Sequence, residues 1–236
     1  MKPSILFVIP TLYTYKSMTQ DCVNLLRDNI KQFNIDYKIC IVINTTNAEF
    51  DKTDFGPNTE KLCSNLNFNI SKALNTAIYN NTDFDYFCFI DEGISIDNNY
   101  WIDYLINLFS NNTSIGLVGC RPHGSPEKYT QPISTDPLLY QVLWTDGIIF
   151  TTMTRILDIK GFDEIYFGDC ETQDLGLRLH KAGYINIFWQ NLASHRLIDY
   201  NAKSVTPELL LQCRDNSHKL FHQRWHDYLS QIPKYQ

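Results

Sequence analysis

An α/β fold, built on a mainly parallel twisted sheet flanked by helices, is predicted by three observations. Short apolar runs rich in β-branched residues alternate with segments of helical periodicity. Turn residues and acids fall at the ends of those runs. The 236 residues are 44% hydrophobic and 19% charged, the profile of a chain with one substantial core.

The elements follow in order. Residues 5–9 form a buried apolar run that Pro10 ends after about six residues, too short for a secretory apolar core and read here as a first strand. Residues 20–33 carry Val23, Leu25, Leu26, Ile30 and Phe33 at helical spacing. Residues 37–43 are a second strand, followed by a polar loop with Gly56-Pro57-Asn58 as turn chemistry. A helix over 70–79, a strand over 86–90, a helix over 100–109 and a short strand over 115–118 continue the alternation, which implies right-handed crossovers. Residues 121–137 break the pattern as a long loop, expected to face a substrate. Apolar character resumes over 139–151, a helix is expected over 171–182 with Gly183 as its stop, and 207–229 reads as one or two amphipathic helices. No repeat or linker divides the chain, so a single domain over 1–236 is expected.

Bulk properties narrow the function. A net charge of −6 and a pI of about 5.4 argue against a nucleic-acid surface. No apolar run approaches the ~18–20 residues that span a bilayer. Seven scattered cysteines with no C-x-x-C pair suggest neither a disulfide framework nor a zinc site, and fit a reducing cytoplasm.

Three constellations can carry chemistry. Asp91-Glu92-Gly93 follows the apolar strand 86–90, the edge at which open α/β sheets bind ligands. Its acids either supply hard oxygen ligands to Mg²⁺ or Mn²⁺ or simply close the strand. Asn69-Ile70-Ser71-Lys72 opens a helix, and reads as an anion site with a nearby ammonium or as a plain Asn cap. Asn69 could take the left-handed conformation that glycine usually fills. The third constellation runs from Lys160 to His195. Within it Glu171 and Asp174 share one helical face, where they could serve as a base and its neighbour, or as capping acids with an Asp174–Arg178 ion pair.

These stretches, in this order, resemble the family 2 glycosyltransferases with the GT-A fold. The matching positions are Pro10-Thr11, Asn67, Ala73, Asn75, Asp91, Gly161-Phe162-Asp163-Glu164, Glu171, Asp174-Leu175, Arg178, Gly183-Tyr184 and His195, with the helix through Phe221 and Arg224-Trp225 near the end. The resemblance covers nearly the whole chain. It implies a nucleotide-binding half over 1–119, an acceptor-side half over 120–200 and a C-terminal helical segment over 201–236.

It implies, further, an inverting transfer from a nucleoside diphosphate sugar to an acceptor hydroxyl, with a glycan or glycosylated molecule as acceptor. The donor would be met by Pro10, Thr11, Asn44, Asn69, Lys72, Asp91, Trp144, Asp146 and Gly147. A Mg²⁺ or Mn²⁺ ion would sit among Asp91, Glu92 and His195, and Glu171 with Asp174 would form the catalytic pair. Four positions depart from the pattern: Asn44, Asn69, Gly93 and Thr172 stand where Asp, Gly, Asp and Asp are usual. Thr172 cannot act as a base near neutral pH, which leaves Glu171, Asp169 reached by a loop shift, or a domain that binds without catalysing. Surplus aromatics (Tyr100, Trp101, Tyr129, Tyr140, Trp144, Trp189) could stack on sugars in a binding module, or fill the core. A nucleotidyltransferase of related fold would open on a glycine-rich loop, and residues 9–18 contain no glycine.

Overall fold

The computed structural model describes residues 2–11, 16–43, 52–63, 69–92, 94–96, 98–121, 130–133, 136–192, 195–196 and 208–233. The first half mixes strands and helices: β1 (Ser4–Thr11), α1 (Lys16–Ile30), β2 (Asp36–Ile43), β3 (Thr59–Cys63), α2 (Ile70–Tyr79), β4 (Tyr86–Ile90), the two-residue β5 (Ile94–Ser95), α3 (Trp101–Asn111) and β6 (Ile115–Arg121). The second half holds β7 (Gln131–Ile133), β8 (Asp136–Val142), β9 (Asp146–Thr152), α4 (Met153–Asp158), α5 (Glu171–Lys181), β10 (Ile185–Trp189), β11 (His195–Arg196) and the 24-residue α6 (Glu208–Gln231).

Nine strands join in the order β3-β2-β1-β4-β9-β6-β10-β8-β7. The β3-β2-β1-β4 block is parallel throughout, as the alternation predicts. Beyond it the sheet is mixed: β9 inserts antiparallel between β4 and β6, and β8 antiparallel to β10. Residues 143–145 carry the chain from β8 to β9, and a Cβ on Gly119 would collide with the Thr145 side chain there. Glycine at that position of β6 is what lets the crossing lie so close to the sheet.

Because strand side chains alternate, Ile5, Phe7 and Ile9 face one side of β1 and Leu6 and Val8 the other. The first set packs with α1 and α3 around Val23, Leu26, Trp101 and Leu105. The second packs with α2, α4 and α5 around Leu74, Ile78, Ile156 and Leu175. A third cluster gathers Leu143, Trp144, Tyr166, Leu177, Phe221 and Trp225, and seats α6 against α5. The sequence pattern left 207–229 open between one helix and two; a single helix forms because Phe221 and Trp225, one turn apart, both enter this cluster.

Candidate active site

The carboxyl ends of β1 and β4 are tied together through Thr11, the last residue of β1, and Glu92, in the turn after β4. Thr11 (3% exposed) donates its hydroxyl to Glu92 Oε1 at 2.5 Å, Thr19 of α1 donates to the same oxygen, and the two hydroxyls lie 2.7 Å apart. Glu92, expected among the cation ligands, therefore has Oε1 committed to two hydroxyls in a buried tie between β1, α1 and the β4 turn. Pro10 lies in β1 in register with Val42, while Asn44 falls outside the described residues.

Asp91 sits where β4 and β9 meet. Its backbone N–H donates to Gly147 O at 2.7 Å, and Gly147 in turn donates to the Asp146 carboxylate at 2.8 Å. Asp91, Asp146 and Gly147 are thus brought to one edge. β11 pairs antiparallel with β5, placing His195 in register with Ser95, and Ile94 hydrogen-bonds back to Asp91 O at 3.2 Å. The sequence separates His195 from Asp91 by a hundred positions; this small ribbon brings their backbones into one corner.

Asn69 caps α2, accepting from the Lys72 N–H at 2.8 Å with φ −79°, so the left-handed conformation expected for it does not occur. The cap supplies the reason: an Ncap side chain that reaches back to the first turn requires negative φ. Lys72 is exposed in that first turn. One turn on, Asn75 accepts from Phe162 N–H at 2.8 Å and donates to Phe162 O at 2.9 Å and to Glu164 Oε1 at 3.0 Å. Gly161 has φ +68°, and a Cβ there would collide with Asn75 Oδ1. The α2 motif and the 161–164 motif are therefore two halves of one latch.

The start of α5 holds the acids. Glu171 is 9% exposed, and its Oε1 accepts from the Gly168 N–H at 2.8 Å. Burial pushes its carboxyl up to about 7, with the Asp169 and Asp146 carboxylates adding to the rise against its own and the Gly168 N–H groups. Asp174 is in another state. It is fully buried; Oδ2 accepts from Arg178 Nε at 2.6 Å and Oδ1 from the Trp225 indole at 2.9 Å. Both Asp174 oxygens are engaged and the residue has no exposure, the arrangement of the ion-pair reading. Thr172 lies beside them, 9% exposed.

Asp169 is held from α6. Its Oδ2 accepts from His218 at 3.1 Å and Arg214 at 3.3 Å, and its Oδ1 from the Cys170 N–H at 2.8 Å. Cys170 is 2% exposed with φ +72°, and burial pushes its thiol up to about 12. Trp144, expected to line a pocket, is instead 5% exposed and packs edge-on against Phe221 at 6.0 Å. Trp101 and Trp189 are buried likewise, and among the described aromatics singled out for stacking Tyr100 is exposed. Tyr129 falls outside the described residues. Sequence reasoning missed Thr19, His218 and the catch between Arg224 and Asp163. The Arg224-Trp225 pair was the available signal, since it marks a cation and an indole donor aimed at something buried.

No family model and no curated protein matches the chain. Solved structures do. A mannosyltransferase from Pyrobaculum calidifontis, in complex with GDP-Man and Mn²⁺, superposes with a TM-score of 0.67 at 11% identity over 99% of this chain and 66% of its own. GalNAc-T7 with UDP, GalNAc and Mn²⁺ gives 0.69 at 10% identity, over 95% of this chain and 50% of its own. The catalytic domain of Drosophila β1,4-galactosyltransferase 7 with xylobiose gives 0.57 at 13% identity, over 90% and 79%. The fold is that of the GT-A glycosyltransferases. This GT-A chain spans about two thirds of the mannosyltransferase and half of GalNAc-T7. Among its described residues, no helix is long and apolar enough to cross a membrane.

Proposed function

We propose that the protein is an inverting glycosyltransferase that moves a sugar from a nucleoside diphosphate sugar to an acceptor hydroxyl, with Glu171 as the general base. The observation that carries this reading is the placement of Glu171. It is the acid at the start of α5 whose carboxylate is met by backbone N–H and neighbouring carboxylates, whereas Asp169 and Asp174 are both bonded to α6. A carboxyl that titrates near neutrality combines a useful deprotonated fraction with real basicity. Glu171 takes the acceptor O–H proton as that oxygen bonds to the anomeric carbon from one face. The bond to the diphosphate oxygen breaks on the other face, and configuration inverts.

The donor lies along Pro10, Thr11, Asn69, Lys72, Asp91, Asp146 and Gly147, and Asn44, outside the described residues, belongs to the same proposed set. The ammonium of Lys72, in the first turn of α2, offers positive charge to the diphosphate. Asp91 and His195 would hold the cation, Mg²⁺ or Mn²⁺, since a carboxylate at the β4 edge with an imidazole suits such an ion. When bound, the ion supplies charge stabilisation to the departing diphosphate. Glu92 serves as frame, because its Oε1 is held by Thr11 and Thr19. The GT-A neighbours carry GDP-Man, UDP and Mn²⁺ in their structures, which supports this donor class.

Thermal-shift screening with UDP, GDP, CDP and dTDP sugars, with and without Mn²⁺, tests donor binding. A ligand at 100-fold its Kd stabilises the fold by about 2.7 kcal/mol, and no shift with any of them would remove the donor site. Transfer from the sugar so identified to a glycan acceptor, lost in Glu171→Gln, tests the base. A thermal shift with no transfer to any acceptor would point to a domain that binds without catalysing.

A further inference from the structure

Ahead of Glu171, the Asp169, Cys170 and His218 side chains, none of which takes part in the proposed sugar transfer itself, converge between the 168–170 loop and α6. The ligand-capable atoms of Asp169, Cys170 and His218 lie within 4.8 Å of one another. They form a chain: Cys170 Sγ is 3.6 Å from His218 Nδ1, and His218 Nε2 is 3.1 Å from Asp169 Oδ2. We propose that this cluster is a binding site for a thiophilic divalent cation of the Zn²⁺ class, with Cys170 Sγ and His218 Nδ1 as direct ligands and Asp169 holding the far side of the imidazole.

The separations fit. Tetrahedral zinc with bonds of about 2.3 Å to sulfur and about 2.0–2.1 Å to nitrogen puts the two ligand atoms ~3.6 Å apart. Asp169 accepting from Nε2–H fixes the tautomer that leaves the Nδ1 lone pair toward the thiol, the carboxylate–imidazole–metal relay seen at many metal sites. Its Oδ1 is held by the Cys170 N–H, so the carboxylate is itself oriented. Access is from the solvent side, where the His218 side chain is 51% exposed while Cys170 is 2% exposed. Water would complete the coordination there. Arg214, 3.3 Å from the same Asp169 oxygen and 46% exposed, shares the carboxylate and can swing outward. On binding, the S–H bond is replaced by S–metal and the thiol proton leaves to solvent. This site differs from the proposed donor cation site, which has no thiol and where the Asp91 carboxylate favours harder ions.

Cobalt separates the two sites because only a thiolate gives the near-ultraviolet sulfur-to-cobalt charge-transfer band. The full chain titrated with Co²⁺ should develop that band at one equivalent, and Zn²⁺ should displace it. Cys170→Ser and His218→Ala should abolish the band, each checked for retained fold by circular dichroism. Asp169→Asn should weaken binding about 10–100-fold, the usual size of an outer-shell effect. Asp91→Asn should leave the band in place even if it eliminates nucleotide-dependent metal binding, so failure here and failure of the donor reading are distinguishable. His222 and His226 follow His218 at four-residue intervals on α6 and could chelate by imidazole alone. Cobalt bound without the charge-transfer band, and lost on His222→Ala, would overturn the proposal, as would a folded wild-type chain that develops no band.

Discussion

Along the seam where α5 and the loop before it pack on α6, Asp163, Asp169 and Asp174 each meet a donor from α6. Asp174 takes the Trp225 indole as well as Arg178, Asp163 takes Arg224 at 2.5 Å, and Asp169 takes His218 and Arg214. At the first residue of α5, one turn before Asp174, Glu171 meets backbone N–H groups and two further carboxylates. Glu171 and Asp174 are both buried, and the two regions draw on acids of the same segment. The seam cancels its charges, and that is what a structural contact needs. Burial at the start of α5 leaves Glu171 costly to ionise, and that is what a proton acceptor working near pH 7 needs. Residue type and spacing are nearly the same in the two places; only the partners differ.

Breaking the seam should cost the most stability. Asp174→Ala strands Arg178 and the Trp225 N–H, and should lower unfolding free energy by ~3–5 kcal/mol in urea titrations, the size seen when one member of a buried pair is removed. Asn75→Ala opens the latch and leaves the buried Phe162 amide unpaired, a loss of ~1–3 kcal/mol by the same measurement. Gly161→Ala forces a left-handed residue against Asn75 and should cost about 1–2 kcal/mol. If Asp174→Ala proves harmless while Asn75→Ala unfolds the chain, the seam is not the structural member of the pair.

The smallest effect sharpens the other side. Because the Glu171 carboxyl titrates at about 7 when folded and near 4.5 when unfolded, the folded state holds the extra proton between those values. Its contribution to stability is therefore present below pH 4.5, declines as pH rises towards 7, and stays lost above. Glu171→Gln should flatten that part of a Tm-against-pH profile and raise Tm slightly at pH 8. An unchanged profile would show that Glu171 is not buried among carboxylates.

Much of this was legible in the sequence. The helix over 70–79 and the strand over 86–90 form with those limits, because an Asn cap and a β-branched, aromatic run mark them locally. The Asp174–Arg178 pair was legible from its i, i+4 spacing. What was not legible is contact across distance. Trp225 reaches Asp174 over 51 positions and Thr19 reaches Glu92 over 73, and no local pattern announces either. The antiparallel entry of β9 was hidden for a related reason: an apolar run gives a strand its burial but not its direction. The packing of Trp144 on Phe221 of α6 was not legible either, because a tryptophan beside Thr145-Asp146-Gly147 reads alike in a pocket wall and in a core.

The contrast between Glu171 and Asp174 is tested most directly by sugar transfer in two variants, Glu171→Gln and Asp174→Asn, with rates referred to the folded fraction of each. Glu171→Gln should lower kcat about 10²–10⁴-fold with nucleotide binding retained, and Asp174→Asn should lose stability while its folded fraction turns over within about tenfold of wild type. The opposite result, full turnover by Glu171→Gln and none by folded Asp174→Asn, would contradict that contrast.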